Sequence, residues 1–577
     1  MDLAGRKILP VGNSSFASVA RNNVFVDKSL LIADLLESGF QATLFCRPRR
    51  FGKSLNLSML KSFFEMPVDG GPSCRELFEP LSIWSASDGA YRTEQGAYPV
   101  IRLGLNTAKG DTWDQVYESI RAVVQAEYAR HDYLLRTEGL SEADRAFFQT
   151  IVAGTASASE VVASLVRLES LLSRYHSAPV VLLIDEYDAP VMASYSHGFY
   201  QEAVSFIKRF LTGALKDNDG LRLAVLTGVQ RISKESIFSD LNNLSVNTSL
   251  SPLFDAYFGF TPREVEALAR YRDCPGCLGE MREWYDGYRF GANEIYNPWS
   301  VLSYLAAGCA PDAYWVNTSS NEVVASLVDG SSTRALGTVF NLLRQGETFA
   351  MNLDLSVVFP DVPVSGDALW SMLYLAGYVT TDDTGYQNDA GMMRRLRIPN
   401  REIARVFANE VVSRFSALSG GRSDLLSFQA ALRQGDTERV ARFLERFLVS
   451  CTSYYDLSSE NSYHMMLMGL CFGMPGYEMP RSNREAGDGR SDIQILPAAR
   501  VRHAVGVAST PAAVPLITIE VKHAAKGAID LDGLALDALA QIAARRYDVA
   551  DDAGPADRVR WGIAFDGKHV AVACERV

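Results

Sequence analysis

The stretch RPRRFGKS, residues 47–54, ends in the glycine, lysine and hydroxyl residue that close a phosphate-binding loop. In such a loop, backbone N–H groups and a helix N-terminus hold phosphate oxygens, the lysine reaches the β- and γ-phosphates, and the hydroxyl ligates Mg²⁺. The usual pattern, G-x-x-x-x-G-K-[ST], requires a glycine at position 47, where this chain has Arg47. The stretch therefore predicts either a nucleotide site with an altered first position or a Gly-Lys-Ser in a basic loop.

Two later segments supply the remaining groups of a nucleotide site. The apolar run APVVLLIDEYDAP ends in Asp185 and Glu186, and LRLAVLTGVQRIS contains Thr227 and Arg231. Asp185 is predicted to hold Mg²⁺, Glu186 to polarise the attacking water, and Thr227 to sense the γ-phosphate. Arg231 is predicted to neutralise transition-state charge, in its own or in a neighbouring subunit.

The elements around these residues favour the nucleotide interpretation. QATLFC (41–46) is an apolar strand candidate, and residues 54–65 repeat apolar side chains at helical spacing. Apolar runs that alternate with helices indicate a doubly wound parallel sheet, in which ligands bind at the carboxyl ends of strands. The alternatives are acids that cap the next helix and arginines on a solvated face. The residues assigned to ATP binding are Arg47, Pro48, Arg49, Arg50, Phe51, Gly52, Lys53 and Ser54, with Ser54 and Asp185 assigned to Mg²⁺.

A second constellation lies near the C-terminus. GDGRSDIQILP places Asp492 in a strand candidate, and PLITIEVKHA alternates so that Glu520 and Lys522 share one strand face. Two carboxylates bind a hard cation such as Mg²⁺ or Mn²⁺, and Lys522 would orient or deprotonate a bound water. Glu460, on a preceding helix with His464 one turn away, is a further candidate acid. The alternative is an exposed cross-strand charge ladder.

RPRRFGKS, with the upstream FVDKS and the downstream LLIDEYDAP and WYDGYRF, resembles the bacterial AAA-ATPase-like family. Members of that family characteristically carry Arg-Pro-Arg-Arg-Phe-Gly-Lys in this loop, so Arg47 matches the family's version. They are typically fused to a nuclease-like domain of the PD-(D/E)XK superfamily. The resemblance implies that Asp492, Glu520 and Lys522 form a nuclease site supported by Gln541, with DNA more favoured than RNA as substrate. Some related nucleases place a tyrosine four residues after the glutamine; Tyr547 is six residues after it, so that role is not transferred.

The predicted fold class is α/β, in three parts. These are an N-terminal P-loop NTPase domain with a parallel sheet (1–261), a mainly helical lid or linker region (262–450), and an α/β restriction-endonuclease-like domain (451–577). The length of 577 residues and a composition of 47% hydrophobic and 21% charged residues fit several globular domains. The net charge of −12 excludes a uniformly basic surface, so nucleic acid would be bound by local clusters such as Arg481, Arg484 and Arg490.

Cysteine usage and hydropathy complete the prediction. The eight cysteines do not form a disulfide framework, and Cys274 and Cys277 have no second Cys or His pair nearby in sequence, which favours a turn with two incidental thiols over a zinc site. No run of 18 apolar residues and no signal peptide are found, so we expect a cytoplasmic protein without membrane association. His523 is expected to be an exposed ring.

The functional hypothesis is an ATP-binding and ATP-hydrolysing protein whose nucleotide state gates a metal-dependent DNA nuclease. The first alternative is a signalling or scaffold ATPase with a catalytically silent docking domain, and the second is an ATPase that acts on protein partners. A homo-oligomer is required only if an arginine such as Arg231 acts on a neighbouring ATP site.

Overall fold

The computed structural model describes residues 6–67, 71, 73–136, 139–195, 197–231, 243–315, 339, 342, 347–361, 366–381, 385–388, 391–451, 460–486, 489–498, 514–524, 530–547 and 557–577. Contacts divide the chain into two units. Unit 1 comprises Met1–Ser320 and Ala350–Ile403, and unit 2 comprises Asn321–Phe349 and Ala404–Val577. The predicted domain boundaries at residues 261 and 450 fall inside unit 1 and unit 2, respectively.

The described elements are as follows. The strands are β1 (Ala42–Cys46), β2 (Val100–Gly104), β3 (Val180–Asp185), β4 (Leu221–Gly228), β5 (Leu244–Asn247), β6 (Tyr288–Phe290), β7 (Asn293–Ile295), β8 (Phe349–Asn352), β9 (Tyr386–Asn388), β10 (Gly391–Leu396), β11 (Arg481–Ala486), β12 (Gly489–Ile495), β13 (Leu516–His523), β14 (Arg558–Asp566) and β15 (His569–Arg576). The helices are α1 (Phe16–Asn22), α2 (Leu30–Glu37), α3 (Lys53–Phe64), α4 (Ser82–Ser85), α5 (Trp113–Arg130), α6 (Glu142–Val152), α7 (Ala158–His176), α8 (Ala189–Tyr195), α9 (Tyr200–Leu215), α10 (Pro262–Tyr271), α11 (Leu278–Tyr285), α12 (Pro298–Ala306), α13 (Gly366–Ala376), α14 (Arg401–Leu418), α15 (Arg422–Gln434), α16 (Thr437–Cys451), α17 (Glu460–Cys471) and α18 (Leu531–Arg545).

Unit 1 is built on a five-stranded sheet in the order β2-β3-β4-β1-β5, with every pairing parallel, which confirms the predicted parallel sheet. Every residue of β1 and β3 is buried, because helices cover both faces of a parallel sheet and the strands must be apolar throughout. The order places β4 between β1 and β3. The carboxyl ends of β1, β4 and β3, which lie next to Lys53, Thr227 and Glu186 in the sequence, are therefore side by side.

Helices that pack against this sheet also show local sequence signals. A capping box, in which Ser157 and Glu160 exchange hydrogen bonds, starts α7. Helices α7 and α9 bury apolar faces against the same core as β3 and β4, including Leu165 and Phe210. This packing fixes the strand ends that carry the first candidate site.

Unit 2 contains a mixed sheet in the order β11-β12-β13-β14-β15. Strands β12 and β13 are antiparallel, whereas β13 and β14 are parallel and are connected through α18. Gly562 in β14 permits close approach of α18, since an added Cβ there would lie 2.0 Å from the carbonyl oxygen of Ala535. The sheet thus holds one face of α18 directly beside β13 and β14.

Candidate functional site

The loop between β1 and α3 contains two residues in the left-handed region, Arg50 at φ 69° and Gly52 at φ 85°. An added Cβ at Gly52 would meet no atom within 4 Å, so the backbone angle, and not crowding, is what favours glycine there. Arg50 adopts an angle that costs energy for a residue with a Cβ, as is frequent at ligand sites. These two residues redirect the chain so that α3 begins at Lys53, directly after the loop.

Arg47 does not face the loop with its side chain. It is fully buried, and its guanidinium donates to the backbone oxygens of Cys46 (3.0 Å) and Asn247 (2.9 Å) and to Asn247 Oδ1 (2.5 Å). It also lies 5.2 Å from the ring centroids of Phe258 and Phe290. The burial lowers the pKa of Arg47 to about 10. The alternative that Arg47 is solvated is therefore wrong. Because its side chain is used in these contacts, Arg47 can contribute to nucleotide binding only through its backbone groups.

Lys53 is also buried, and its ammonium donates to the carbonyl oxygens of Arg47 and Pro48, both at 2.8 Å. Burial lowers the pKa of Lys53, and the carboxylates of Glu186, Asp188 and Asp185 act in the opposite direction. The cation is therefore held inside the loop by two neutral acceptors, with three acids nearby.

The acids follow β3 as predicted from the sequence. Asp185 Oδ1 accepts a 2.6 Å hydrogen bond from the Thr227 hydroxyl at the end of β4, and Thr227 Oγ1 accepts from the Glu186 N–H at 3.4 Å. Glu186 has a positive φ of 51°, a strained angle for a residue with a side chain. The structure therefore brings Asp185, Glu186 and Thr227 together beside the loop.

Asp188 is a residue of this edge that the sequence analysis did not single out. Its Oδ2 accepts from the backbone N–H groups of Val229 (2.8 Å) and Gln230 (2.9 Å), and burial raises its pKa. Gly228 must lack a side chain, since an added Cβ would lie 2.7 Å from the Tyr187 ring. The second aspartate of the DEYD segment thus fixes the end of β4, and its offset of three residues from Asp185 was the available signal.

Arg231 is the last described residue before the gap at 232–242, and its Nε is buried without a hydrogen-bond partner among the residues that the structure describes. Its predicted role in cis or in trans stays a prediction.

A cavity of about 480 Å³ opens next to the loop. Its lining includes residues 49–56 and Glu186, residues 10–14 and Trp299, and the apolar side chains of Phe260, Leu268 and Leu302. This size and this mixture of charged and apolar walls suit a small ligand. The Arg50 guanidinium lies 4.3 Å from the Trp299 ring centroid, so these two lining residues contact each other.

The sequence analysis missed the walls formed by residues 10–14 and Trp299. In the sequence, Trp299 follows an Asn-Pro pair that starts α12: Asn297 accepts from the N–H groups of Trp299 and Ser300. That cap was a usable signal for a fixed, partly exposed tryptophan.

The other segments that carried the family resemblance serve to support the fold. Lys28 of FVDKS donates to Glu264 (2.7 Å) and to the carbonyl oxygen of Ala256 (2.7 Å). Tyr288 of WYDGYRF packs against Phe51 with a centroid distance of 4.9 Å. Both contacts stabilise the cavity walls at a distance from the acids.

In unit 2, the structure brings Asp492, Glu520, Lys522 and Gln541 together. Asp492 Oδ2 accepts from the Val521 N–H at 2.8 Å, which fixes β12 against β13. Glu520 Oε1 lies 3.6 Å from Lys522 Nζ and accepts from Gln541 Nε2 of α18. Glu520 Oε2 is buried and has no hydrogen-bond partner among the described residues.

The two carboxyl groups are electrostatically strained. Burial, and then the charge of Asp492, raise the pKa of Glu520 to about 7, with Lys522 acting in the opposite direction. Burial also raises the pKa of Asp492. A buried carboxyl with an unsatisfied oxygen beside a half-buried one fits a hard divalent cation, which would supply the missing positive charge.

Several expectations for this region need correction. Glu520 is only 3% exposed, so the exposed charge ladder is wrong. His523 is half-buried, with its ring 5.4 Å from that of Tyr463, and is not an exposed ring. The Tyr547 hydroxyl lies 3.4 Å from Gln541 Nε2, so the tyrosine reaches the glutamine despite its different spacing.

The other residues predicted near this cluster differ in burial and in partners. Glu460 is exposed at the start of α17, and its place in a metal site stays a prediction. His464 is buried, which lowers its pKa to about 4, so it is neutral at physiological pH. Arg481 pairs with Glu478 at 2.7 Å, and the side chains of Arg484 and Arg490 lie outside the described part of the structure.

The expectation for the C-x-x-C segment also changes. A third thiol, from Cys309 at the end of α12, lies beside Cys274 and Cys277, and the three sulfur atoms are all within 4.8 Å of one another.

Comparisons with known proteins agree with the N-terminal part of the prediction. Residues 10–238 match the family model described as "Predicted AAA-ATPase", so this part of the chain is similar to that family. A protein of Azotobacter chroococcum mcd 1, described as "Uncharacterized protein in vnfD 5'region", is 27% identical over 405 residues, which are 69% of this chain and 68% of that protein.

Among solved structures, "Structure of the Aeropyrum Pernix ORC2 protein (ADPNP-ADP complexes)" aligns with 68% of this chain and 93% of its own, at 8% identity and a TM-score of 0.23. A likeness at this level carries no argument about fold or function. Among the helices that the structure describes, none combines the length and the apolar character needed to cross a bilayer.

Proposed function

We propose that unit 1 binds and hydrolyses ATP with Mg²⁺ at the loop that precedes α3. The observation that carries the proposal is the meeting of Lys53, the Asp185–Thr227 pair and Glu186 at one edge of the sheet, with Lys53 and Glu186 lining one cavity. The match of residues 10–238 to the AAA-ATPase-like model supports it.

Each residue has a defined part in this reaction. Lys53 would exchange its two carbonyl acceptors for oxygens of the β- and γ-phosphates, and the N-terminus of α3 would favour the same negative charge. Ser54 and Asp185 would hold Mg²⁺, which neutralises charge on the phosphates. Thr227 keeps Asp185 oriented, and Glu186 would orient the attacking water.

Nucleotide binding and turnover test this proposal separately. We expect Lys53→Ala to weaken ATP binding by about tenfold or more, since a charge-assisted contact is worth about 1.5–3 kcal/mol. We expect Glu186→Gln to retain binding and to lose about 10²-fold or more in turnover, the usual contribution of a general base. Lys61→Ala is the matched control, because Lys61 lies on the same helix and pairs with Glu65 at the surface. Wild-type turnover in both test variants would exclude this site.

A second function is favoured by the orphaned Glu520 Oε2. We infer that unit 2 hydrolyses phosphodiester bonds of DNA with Mg²⁺ or Mn²⁺, as a nuclease of the restriction-endonuclease-like class. Supporting this, α17, the three strands β11–β13, α18 and β14 follow one another in chain order, and the acids lie on adjacent strands.

The residues of unit 2 would divide the work as follows. Asp492 and Glu520 would hold the cation, which lowers the pKa of bound water and stabilises charge on the phosphate. Gln541 fixes the Glu520 carboxylate through Oε1, so that Oε2 remains for the cation. Lys522 would orient the attacking water or take its proton.

Cleavage of plasmid and linear DNA, with Mg²⁺ or Mn²⁺ and with or without ATP, tests this function and its proposed gating by nucleotide. We expect Glu520→Ala to abolish cleavage, Glu575→Gln on the exposed end of β15 to retain it, and Lys53→Ala to remove any dependence on ATP. A wild-type protein that hydrolyses ATP but cuts no DNA under any of these conditions would refute the nuclease assignment. The alternative, a nucleotide-switched scaffold with a silent docking domain, would then account for the chain.

A further inference from the structure

Three cysteines of unit 1 lie close together although the last two are 32 positions apart in the sequence. Cys274 precedes a 3₁₀ turn between α10 and α11, Cys277 is the last residue of that turn, and Cys309 follows the end of α12. Their sulfur atoms all lie within 4.8 Å of one another. We propose that Cys274, Cys277 and Cys309 form a binding site for a thiophilic divalent cation, Zn²⁺, with a fourth position left to solvent.

The backbone holds the three thiols in place before any cation binds. The Cys274 N–H donates to the carbonyl oxygen of Ala269 (2.9 Å), and the Cys277 N–H donates to that of Cys274 (3.0 Å). Cys309 has a φ of 63°, an angle uncommon for a residue with a side chain, and its N–H donates to Tyr304 (2.9 Å) in a helix-ending turn. The turn that follows α12 therefore presents the Cys309 thiol to the C-x-x-C segment.

The donor set and its spacing favour zinc among the common cations. Thiolates select soft or borderline cations, and two cysteines separated by two residues are a recurrent zinc-binding pair. Tetrahedral zinc with Zn–S bonds of about 2.3 Å places its sulfurs about 3.8 Å apart, so the present separations need to shorten by about 1 Å or less. Mg²⁺, the cation of the proposed ATP site, prefers oxygen ligands and would not compete.

The surroundings suit such a site as well. The three residues are half-buried against the apolar cluster that includes Met281 and Tyr285, so the sulfurs are shielded and yet reachable. Burial raises the pKa of the Cys274 thiol, and the positive charge of Arg272, two residues earlier, acts in the opposite direction. Binding replaces three thiol protons by the cation, and no electron transfer is involved.

The simplest alternative is that the thiols only fill space as small apolar groups. That alternative explains their burial but predicts no metal affinity. The two alternatives also differ in their consequences for the fold. Bound zinc would connect the α10–α11 turn to the end of α12. The first turn of α12 supplies Trp299 to the cavity, so zinc would stabilise a helix that lines it.

The test uses the full-length protein purified with a reductant and without chelator. Elemental analysis after incubation with Zn²⁺ and gel filtration should give about one zinc per chain for the wild type and for Cys74→Ser, a half-buried thiol of unit 1 outside the cluster. Cys309→Ser and Cys274→Ser should each lower the zinc content at least about fivefold, since each removes one of three ligands. Equal zinc content in Cys309→Ser and in wild type would overturn the proposal.

A second measurement covers the case in which the serine variants do not fold. Co²⁺ added to the wild-type protein should produce a sulfur-to-cobalt charge-transfer band, which the carboxylates of unit 2 cannot produce. Absence of that band, or an alkylation assay that finds Cys274 and Cys277 joined in a disulfide under reducing conditions, would refute the site. Neither readout depends on ATP hydrolysis or DNA cleavage.

Discussion

Replacing Glu520 by glutamine should stabilise unit 2 at alkaline pH and at the same time abolish metal-dependent cleavage. Glu520→Gln keeps the shape of the side chain and an oxygen that can accept from Gln541, but it removes the charge that is buried beside Asp492. A residue that destabilises the folded chain when no ligand is bound is typical of a functional site, whereas a residue with only a structural role stabilises the fold.

The magnitude follows from the pKa of Glu520, which is about 7 in the folded chain against an ordinary value of 4.5. Below pH 4.5 the carboxyl is neutral in both the folded and the unfolded chain, and it costs nothing. Between pH 4.5 and 7 the unfolded chain releases the proton and the folded chain keeps it, so wild-type stability falls as pH rises. Above pH 7 the loss is complete and amounts to about 3 kcal/mol, since one pKa unit corresponds to about 1.4 kcal/mol.

We therefore expect the free energy of unfolding of Glu520→Gln to equal that of wild type near pH 4.5 and to exceed it by about 2–3 kcal/mol at pH 8 without metal. Hydrogen exchange of the β13 segment, read by mass spectrometry, measures this locally and avoids the assumption that two units unfold together. The control is Glu575→Gln, an exposed carboxyl paired with Arg560, for which we expect a change of about 1 kcal/mol or less.

Added Mg²⁺ or Mn²⁺ should remove most of the difference, because the cation binds the charged wild-type site and stabilises it by mass action. We expect that burial of the charged Glu520 carboxylate destabilises the folded chain. This expectation would be refuted by a difference in free energy of unfolding that is the same at pH 5 and pH 8, or by a variant that is less stable than wild type at pH 8 without metal.

Three further predictions concern unit 1. Arg47→Lys should lower the free energy of unfolding of unit 1 by about 2–4 kcal/mol, measured by chemical denaturation. The reason is that a lysine ammonium cannot replace the planar, buried guanidinium and its two hydrogen bonds to Asn247. Thr227→Val should lower the ATP turnover number about tenfold or more while the ATP dissociation constant changes less than about threefold, since the lost hydrogen bond orients Asp185; a change in affinity alone would contradict this. Trp299→Ala should weaken ATP binding about 2- to 30-fold by titration, in line with loss of a cation–π contact to Arg50 and of a cavity wall, and an unchanged affinity would place the nucleotide elsewhere.

The parts of the fold that were predictable from the sequence are those encoded by short segments. The apolar run before Asp185 predicts a strand buried on both faces, and β3 is one. The alternation around Glu520 predicts the strand in which Glu520 and Lys522 share a face, and the two side chains are 3.6 Å apart. In each case the signal and the structure lie within about ten residues, so local periodicity is sufficient.

The features that the sequence did not reveal depend on partners far along the chain. Arg47 looks like part of a basic, solvated loop until Asn247 and the ring of Phe290 surround it, 200 or more residues later. Cys309 has no partner motif in its own part of the sequence, and only the folded structure shows that its sulfur lies within 4.8 Å of those of Cys274 and Cys277. Such contacts are set by tertiary packing, which periodicity and spacing do not encode.

The two candidate sites differ in what a ligand must displace. Lys53 uses two of its three ammonium donors on carbonyl oxygens of its own loop, so a phosphate that engages more than the third donor must break these hydrogen bonds and change the loop conformation. Glu520 Oε2 has no partner to give up, and a cation there relieves strain without rearrangement. Ligand binding therefore has a reason to alter backbone geometry in unit 1 and none in unit 2. If one site controls the other, we expect the nucleotide loop to be the element that changes conformation and the carboxylate cluster to keep one conformation.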